Sequence, residues 1–221
     1  RADKYLSWSP YTYVLNSPLM NIDPNGDTVK IQVTNTKVGT TNENLYTSDE
    51  VTKGATQETK EVDVFEVNVS NEEGSTATYY YTREAYRKDP SNPTADAEDR
   101  TFDVQNDGDS FQGVVKSRWS GTDNVLELRN PDDENDQSIE VMKGGVNATR
   151  TGIQFHIKGA SDGCLMAAGT DNITASQGVT ISTTNTAASS GDSQSNFMQT
   201  VKDFRSADEC SAAAWGREVA R

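Results

Sequence analysis

The residues of this chain best suited to covalent chemistry are its single histidine, His156, and a cysteine eight positions later, Cys164. A thiol needs a base to act as a nucleophile near neutral pH, and imidazole is the usual one. With one histidine, the base of any cysteine–histidine reaction is fixed. An imidazole neighbour lowers a thiol pKa from about 8.5 into the range of roughly 3.5 to 7.5. Gly159 and the turn Ser161-Asp162-Gly163 allow the chain to reverse and bring Cys164 beside His156. Glycine before the nucleophile allows close approach of a substrate. The backbone N–H groups of Gly163 and Cys164 are then candidates for an oxyanion site. The plainer alternative is a half-buried polar histidine on a strand and a buried, inert thiol. Cys164 and Cys210 are the only cysteines, so one disulfide is possible, and reactive thiol plus bystander is equally open. Three Cys and His residues in all fall short of the usual four zinc ligands, so no metal and no cofactor is expected.

Other residues are weaker candidates. In Tyr81-Thr82-Arg83-Glu84-Ala85-Tyr86-Arg87, either arginine has the chemistry to hold a peptide carboxylate by a bidentate contact. Arg83 is the better choice because it directly follows a strand pattern; a solvated strand end is the alternative. Asp103-x-Gln105-x-Asp107-Gly108 loosely follows a calcium loop, but Val114 occupies the twelfth position, so it reads as a turn. Asp132 to Asp136 reads as a solvated loop, and Trp119 and Trp215 as core or interface residues.

These residues need a scaffold, and the pattern supplies strands. Val29, Ile31 and Val33 alternate with polar residues, as does Val62 to Val69. Asn71-Glu72-Glu73-Gly74 turns the chain, and Thr76 to Thr82 returns as the second arm of a hairpin. Val125 to Leu128, Ile139 to Met142 and Gly152 to Ile157 are further strands, the last carrying His156. Thr174 to Asp192 is rich in Ser, Thr, Gly and Ala and reads as a loop with a strand candidate at Val179-Thr180-Ile181. Phe197, Val201 and Phe204 share a helical face, and Asp208 to Val219 reads as a second short helix.

The balance of 34 acidic against 20 basic residues gives a net charge of -14. Phosphate backbones repel such a surface, so no nucleic-acid partner is expected. No apolar stretch approaches the roughly 20 residues needed to span a bilayer. The chain begins Arg1-Ala2-Asp3-Lys4 with neither Met nor a signal peptide, and reads as a piece of a longer polypeptide.

Two resemblances give these residues a setting. Tyr11-Thr12-Tyr13-Val14-Leu15-Asn16-Ser17-Pro18, followed by Asp23-Pro24-Asn25-Gly26, resembles the closing signature of the Rhs repeat-associated core. The resemblance implies that residues 1–27 are the tail of such a core and that 28–221 are the toxin region of a polymorphic toxin. Ile153-Gln154-Phe155-His156, followed by Ser161-Asp162-Gly163-Cys164, resembles the catalytic motif of L,D-transpeptidases in a shortened form. This likeness implies a mainly β fold, an L,D-transpeptidase-like β-sandwich or barrel with one or two short helices near the C-terminus. It makes Cys164 the nucleophile, His156 the base, and Ser161 the residue that shapes the turn. Met166 stands where the family usually has Arg or Asn, so a polar group that would hold substrate is missing.

The expected activity is cysteine acyl transfer on peptidoglycan stem peptides by a secreted antibacterial toxin acting in the periplasm of a target bacterium. Hydrolysis, transfer and D-amino-acid exchange all remain open. A cognate immunity protein is the expected partner. A metal-dependent nuclease toxin and a non-catalytic binding module are the alternatives.

Overall fold

The computed structural model describes residues 21–23, 29–101, 103–104, 110–117, 125–130, 132–133, 135–143, 146–157 and 163–218. For 21–23, 103–104, 110, 143 and 206–218 it describes the backbone alone. The expected Rhs signature at Tyr11–Pro18, Gln105 to Gly108, Trp119 and Ser161 lie outside the described residues.

Strands dominate, as the alternation predicts. In chain order they are Asn21–Asp23 (β1), Lys30–Asn44 (β2), Thr59–Ser70 (β3), Thr76–Thr82 (β4), Tyr86–Arg87 (β5), Glu98–Asp99 (β6) and Asp103–Val104 (β7). Then follow Ser110–Lys116 (β8), Val125–Arg129 (β9), Ser138–Lys143 (β10), Val146–Thr151 (β11), Gln154–His156 (β12), Leu165–Ala167 (β13) and Thr174–Ala175 (β14). The helices are Ser48–Thr52 (α1) and Ser190–Glu218 (α2). None among the described residues is long and apolar enough to cross a membrane.

Nine strands form one sheet in the order β1-β8-β9-β12-β13-β4-β3-β2-β14. The three-residue β1 pairs with β8 through Ile22 and Phe111 and also with β2 through Ile22 and Ile31. The sheet is therefore rolled, with its seam pinned at one end. Three residues cannot close a barrel along its length. The pinning strand lies before residue 28, where the toxin region was expected to begin. A second sheet, β11-β10-β7, adds Ile139 and Val141 to the same core.

Each strand has an inner and an outer face, set by its two-residue period. The inner face carries Ile31, Val33, Val67, Val69, Tyr79, Tyr81, Leu126, Leu128, Phe155 and Leu165, all buried. Helix α2 fills this face. Its Ser189 caps the first turn by accepting from Asp192 N at 3.1 Å and donating to the Asp192 carboxylate at 2.7 Å. Phe197 stacks on Phe155 at 5.4 Å and meets Tyr79 and Tyr81 edge-on at 5.4 and 5.3 Å. The two tyrosine hydroxyls are also satisfied. Tyr79 meets Asn196 O and Thr200 Oγ1, and Tyr81 donates to Gln194 Oε1 at 2.7 Å. Burial holds the Tyr81 hydroxyl well above its ordinary pKa, so it stays a neutral donor.

The outer face of β2, β3 and β4 is covered differently. Val38, on the opposite side of β2 from Val33, joins Val64, Tyr80 and Ala168 in a second cluster, within a stretch where the β2–β3 register shifts between Val33 and Gly39. Ile173, Val179 and Ile181 pack onto this cluster, and Tyr80 Oη accepts from Ser182 N at 2.8 Å. The strand expected at Val179–Ile181 does not form; Val179 and Ile181 are held by side-chain packing instead. Gly39 permits the close approach of β14: a Cβ there would sit 2.3 Å from Thr174 O.

The two helices expected at Asn196–Arg205 and Asp208–Val219 form one continuous helix of 29 residues. Ser206-Ala207 contains no breaker. The polar first turn was expected as loop, but it is helical because Gln194 is hydrogen-bonded inside the core, donating to Phe155 O at 3.0 Å.

Candidate functional site

The site is built on β9, β12 and β13, on the outer face. Strands β12 and β13 run parallel, with Phe155 opposite Leu165 and His156 opposite Met166. Phe155 and Leu165 face the inner core, so His156 and Met166 face outward. Cys164 immediately precedes β13, outside the paired register. The two residues singled out by the sequence thus stand at the end of β12 and at the entry to its parallel neighbour β13.

His156 is only 6% exposed, and its Nδ1 lies 2.6 Å from Ile157 O. A carbonyl oxygen can only accept, so Nδ1 carries the proton and Nε2 is the basic nitrogen. Cys164 is a free cysteine and half-buried. Its thiol donates to Gly152 O, with Sγ at 3.6 Å. Gly163 before it has φ of 105°, a backbone state that favours glycine. The chain can therefore turn sharply into Cys164, as the motif requires. Met166 is 1% exposed and lies between His156 and Thr82 in the register, so it packs the sheet and presents nothing to solvent.

Arg83 is placed elsewhere. Its guanidinium lies 3.8 Å over the Phe65 ring, and Nη1 donates to Asn35 Oδ1 at 2.9 Å. Phe65 pairs with Tyr81, an inner-face residue. Arg83 therefore shares the inner-face side of the sheet and is not brought together with His156. Arg87 pairs with Glu50 at 2.8 Å, beside the capping box of α1.

A second set of polar residues borders the pair. Gln154 pairs with Glu127 across β12 and β9. Gln154 Nε2 donates to Glu127 Oε2 at 2.7 Å, and Glu127 Oε1 lies 2.6 Å from Arg129 Nη2. The latter contact is an ion pair without the alignment of a hydrogen bond. Arg129 Nη1 reaches Asn135 O at 3.3 Å, while Arg129 Nε is buried without a partner. Gln154, Glu127 and Arg129 are 5%, 7% and 3% exposed. An unfilled buried donor costs about 1–3 kcal/mol, and removing such an ion pair from water costs more. Sequence reasoning missed these three. Val125-Leu126-Glu127-Leu128-Arg129 alternates apolar and charged residues like a strand with one wet face, yet both faces are buried. Among the described residues, no three His, Cys, Asp or Glu side chains converge as metal ligands do.

The geometry defines a mainly β protein with a rolled sheet, in which an oriented imidazole stands on β12 and a cysteine thiol at the entry to the parallel strand β13. Beyond that class, comparison adds no relative: no family model matches the chain, and no curated protein or solved structure matches it.

Proposed function

We propose that this chain is a toxin module that attacks peptidoglycan stem peptides by acyl transfer through Cys164. The observation that carries the reading is that Cys164 leads into β13, the parallel neighbour of the strand β12 that ends in His156. The Rhs-like N-terminal signature supports a delivered toxin acting in a target periplasm, with a cognate immunity protein in the producing cell.

In this reading His156 Nε2 takes the thiol proton. The thiolate attacks a peptide carbonyl, and the imidazolium then protonates the leaving amine, which departs to leave a thioester. Water resolves the thioester in a carboxypeptidase or endopeptidase; a D-amino acid resolves it in an exchange reaction. The Ile157 carbonyl serves as the orienting group, because it fixes the ring and its tautomer.

The test is mass spectrometry of muropeptides after incubation with the protein. The wild type is expected to shorten or exchange stem peptides, and Cys164→Ala and His156→Ala to leave them unchanged while keeping the wild-type circular dichroism. A folded Cys164→Ala protein that still alters muropeptides, or remains toxic in the periplasm, rules the reading out.

A further inference from the structure

We infer that Glu43 is a positioning residue for the reaction: its buried carboxylate stabilises the positive charge that the His156 ring takes up with the thiol proton. The inference rests on the acyl-transfer reading above. Glu43 is 1% exposed, and its Oε1 accepts a hydrogen bond from the Thr82 hydroxyl. Thr82 on β4 is paired with Met166 on β13, and Met166 with His156 on β12. Directly paired residues point to the same face of a sheet. Thr82 is also paired with Val64, a member of the outer cluster, so the row Thr82, Met166, His156 runs across the outer face.

All three residues of the row are buried. A carboxylate is held at the Thr82 end, the imidazole stands at the other, and the apolar side chain of Met166 lies between. Two strand spacings, about 10 Å, separate Thr82 from His156. Charges still act on each other over that range where water is excluded. The effect uses the whole charge of the carboxylate and needs no free oxygen on it. An arginine at position 166, one of the residues the resemblance implies, would neutralise Glu43 and repel the imidazolium; methionine leaves the attraction in place. Among the described residues, the other charged and titratable groups on the strands beside His156 are Glu127, in its ion pair with Arg129 on β9, and Cys164. Near Glu43 stand Lys60, its exposed partner in the β2–β3 register, and Tyr86 under the Lys60 ammonium. The Tyr86 hydroxyl is raised above its ordinary pKa, first by burial and then by Glu84, Asp99, Glu43 and Asp63.

The proton balance is simple. The S–H bond of Cys164 breaks, its electron pair stays on sulfur, and the proton joins His156 Nε2. The ring carries a positive charge until it gives that proton to the leaving amine. Glu43 makes and breaks no bond; it favours the charged ring during that interval.

His156 is the only histidine, so its ring protons can be followed without ambiguity in a nuclear magnetic resonance pH titration. Glu43→Gln keeps the shape and an acceptor for Thr82 but removes the charge. It is expected to move the midpoint of the His156 titration down by about one pH unit, and the alkaline limb of muropeptide turnover is expected to move with it. Glu43→Asp keeps the charge and is expected to retain most of the wild-type midpoint, which a purely structural role would not produce. If Glu43→Gln does not fold, Thr82→Val, which removes the hydroxyl that holds the carboxylate, is expected to shift the midpoint in the same direction by less. An unchanged His156 titration in the folded variant overturns the inference while acyl transfer stands. A wild-type protein that leaves muropeptides unaltered removes the acyl-transfer reading and, with it, this role of Glu43, whatever the titration gives.

Discussion

The inner and outer faces of β9, β12 and β13 are made by alternate residues of the same short strands, yet they are held together by opposite means. Inside, Leu126, Leu128, Phe155 and Leu165 meet the aromatic ring of Phe197, and stability comes from area and fit. Outside, Glu127, Arg129, Gln154 and His156 are buried just as deeply, but by polar groups whose desolvation works against folding. A sheet that only needed a core would place apolar residues on both buried faces. The outer face gives up stability, and it does so beside the one free thiol whose surroundings are described. That difference favours the outer face as the place for the proposed chemistry.

The comparison is broken most severely from inside. Phe197→Ala removes the ring shared by Tyr79, Tyr81 and Phe155, and is expected to cost about 4 kcal/mol in urea unfolding. Outside, the expected pattern differs in kind. Arg129→Met strands the Glu127 carboxylate in a buried site and is expected to cost about 3 kcal/mol. Adding Glu127→Gln should restore most of that loss, because the charge left unpaired has gone. A double variant no more stable than Arg129→Met would show that the outer face is packed like the inner one, and the contrast would fail.

How much of this was legible in the sequence follows from how local each feature is. Val29, Ile31 and Val33 announced their strand by alternation, and the turn at Asn71–Gly74 announced the hairpin. Strand β8 was not read, because Gly113 interrupts its apolar pattern. The pair His156 and Cys164 was legible by count and spacing. Gln154 could be seen only as a residue of the motif. Its partner Glu127 lies 27 positions away and meets it only through the β9–β12 register, which no local pattern encodes. Arg83 was chosen for its position after a strand. Strand ends alternate between faces, and the pattern did not say which face the site would use.

The smallest effect tests how the outer face is supported at its edge. Arg129 reaches the Asn135 carbonyl, and Asn135 sits in the turn that Asp136 organises. The Ser138 hydroxyl and backbone N–H donate to Asp136 Oδ1 at 2.6 and 2.9 Å, and Asn130 Nδ2 donates to Oδ2 at 3.3 Å. These bonds, led by the Ser138 hydroxyl, hold the carboxyl below the usual carboxylate range. A depressed folded pKa gives stability that is present above the unfolded value of about 3.9 and is lost as pH falls through the folded value. Asp136→Asn imitates the protonated form. Its melting temperature is therefore expected to lie slightly below wild type at pH 5 to 7, with the gap closing below about pH 4. If the gap instead stays constant to the acid limit, the turn is held by the shape of Asp136 and not by its charge. The Asn135 carbonyl would then be fixed without electrostatic help, and the polar support of the outer face would end at Arg129.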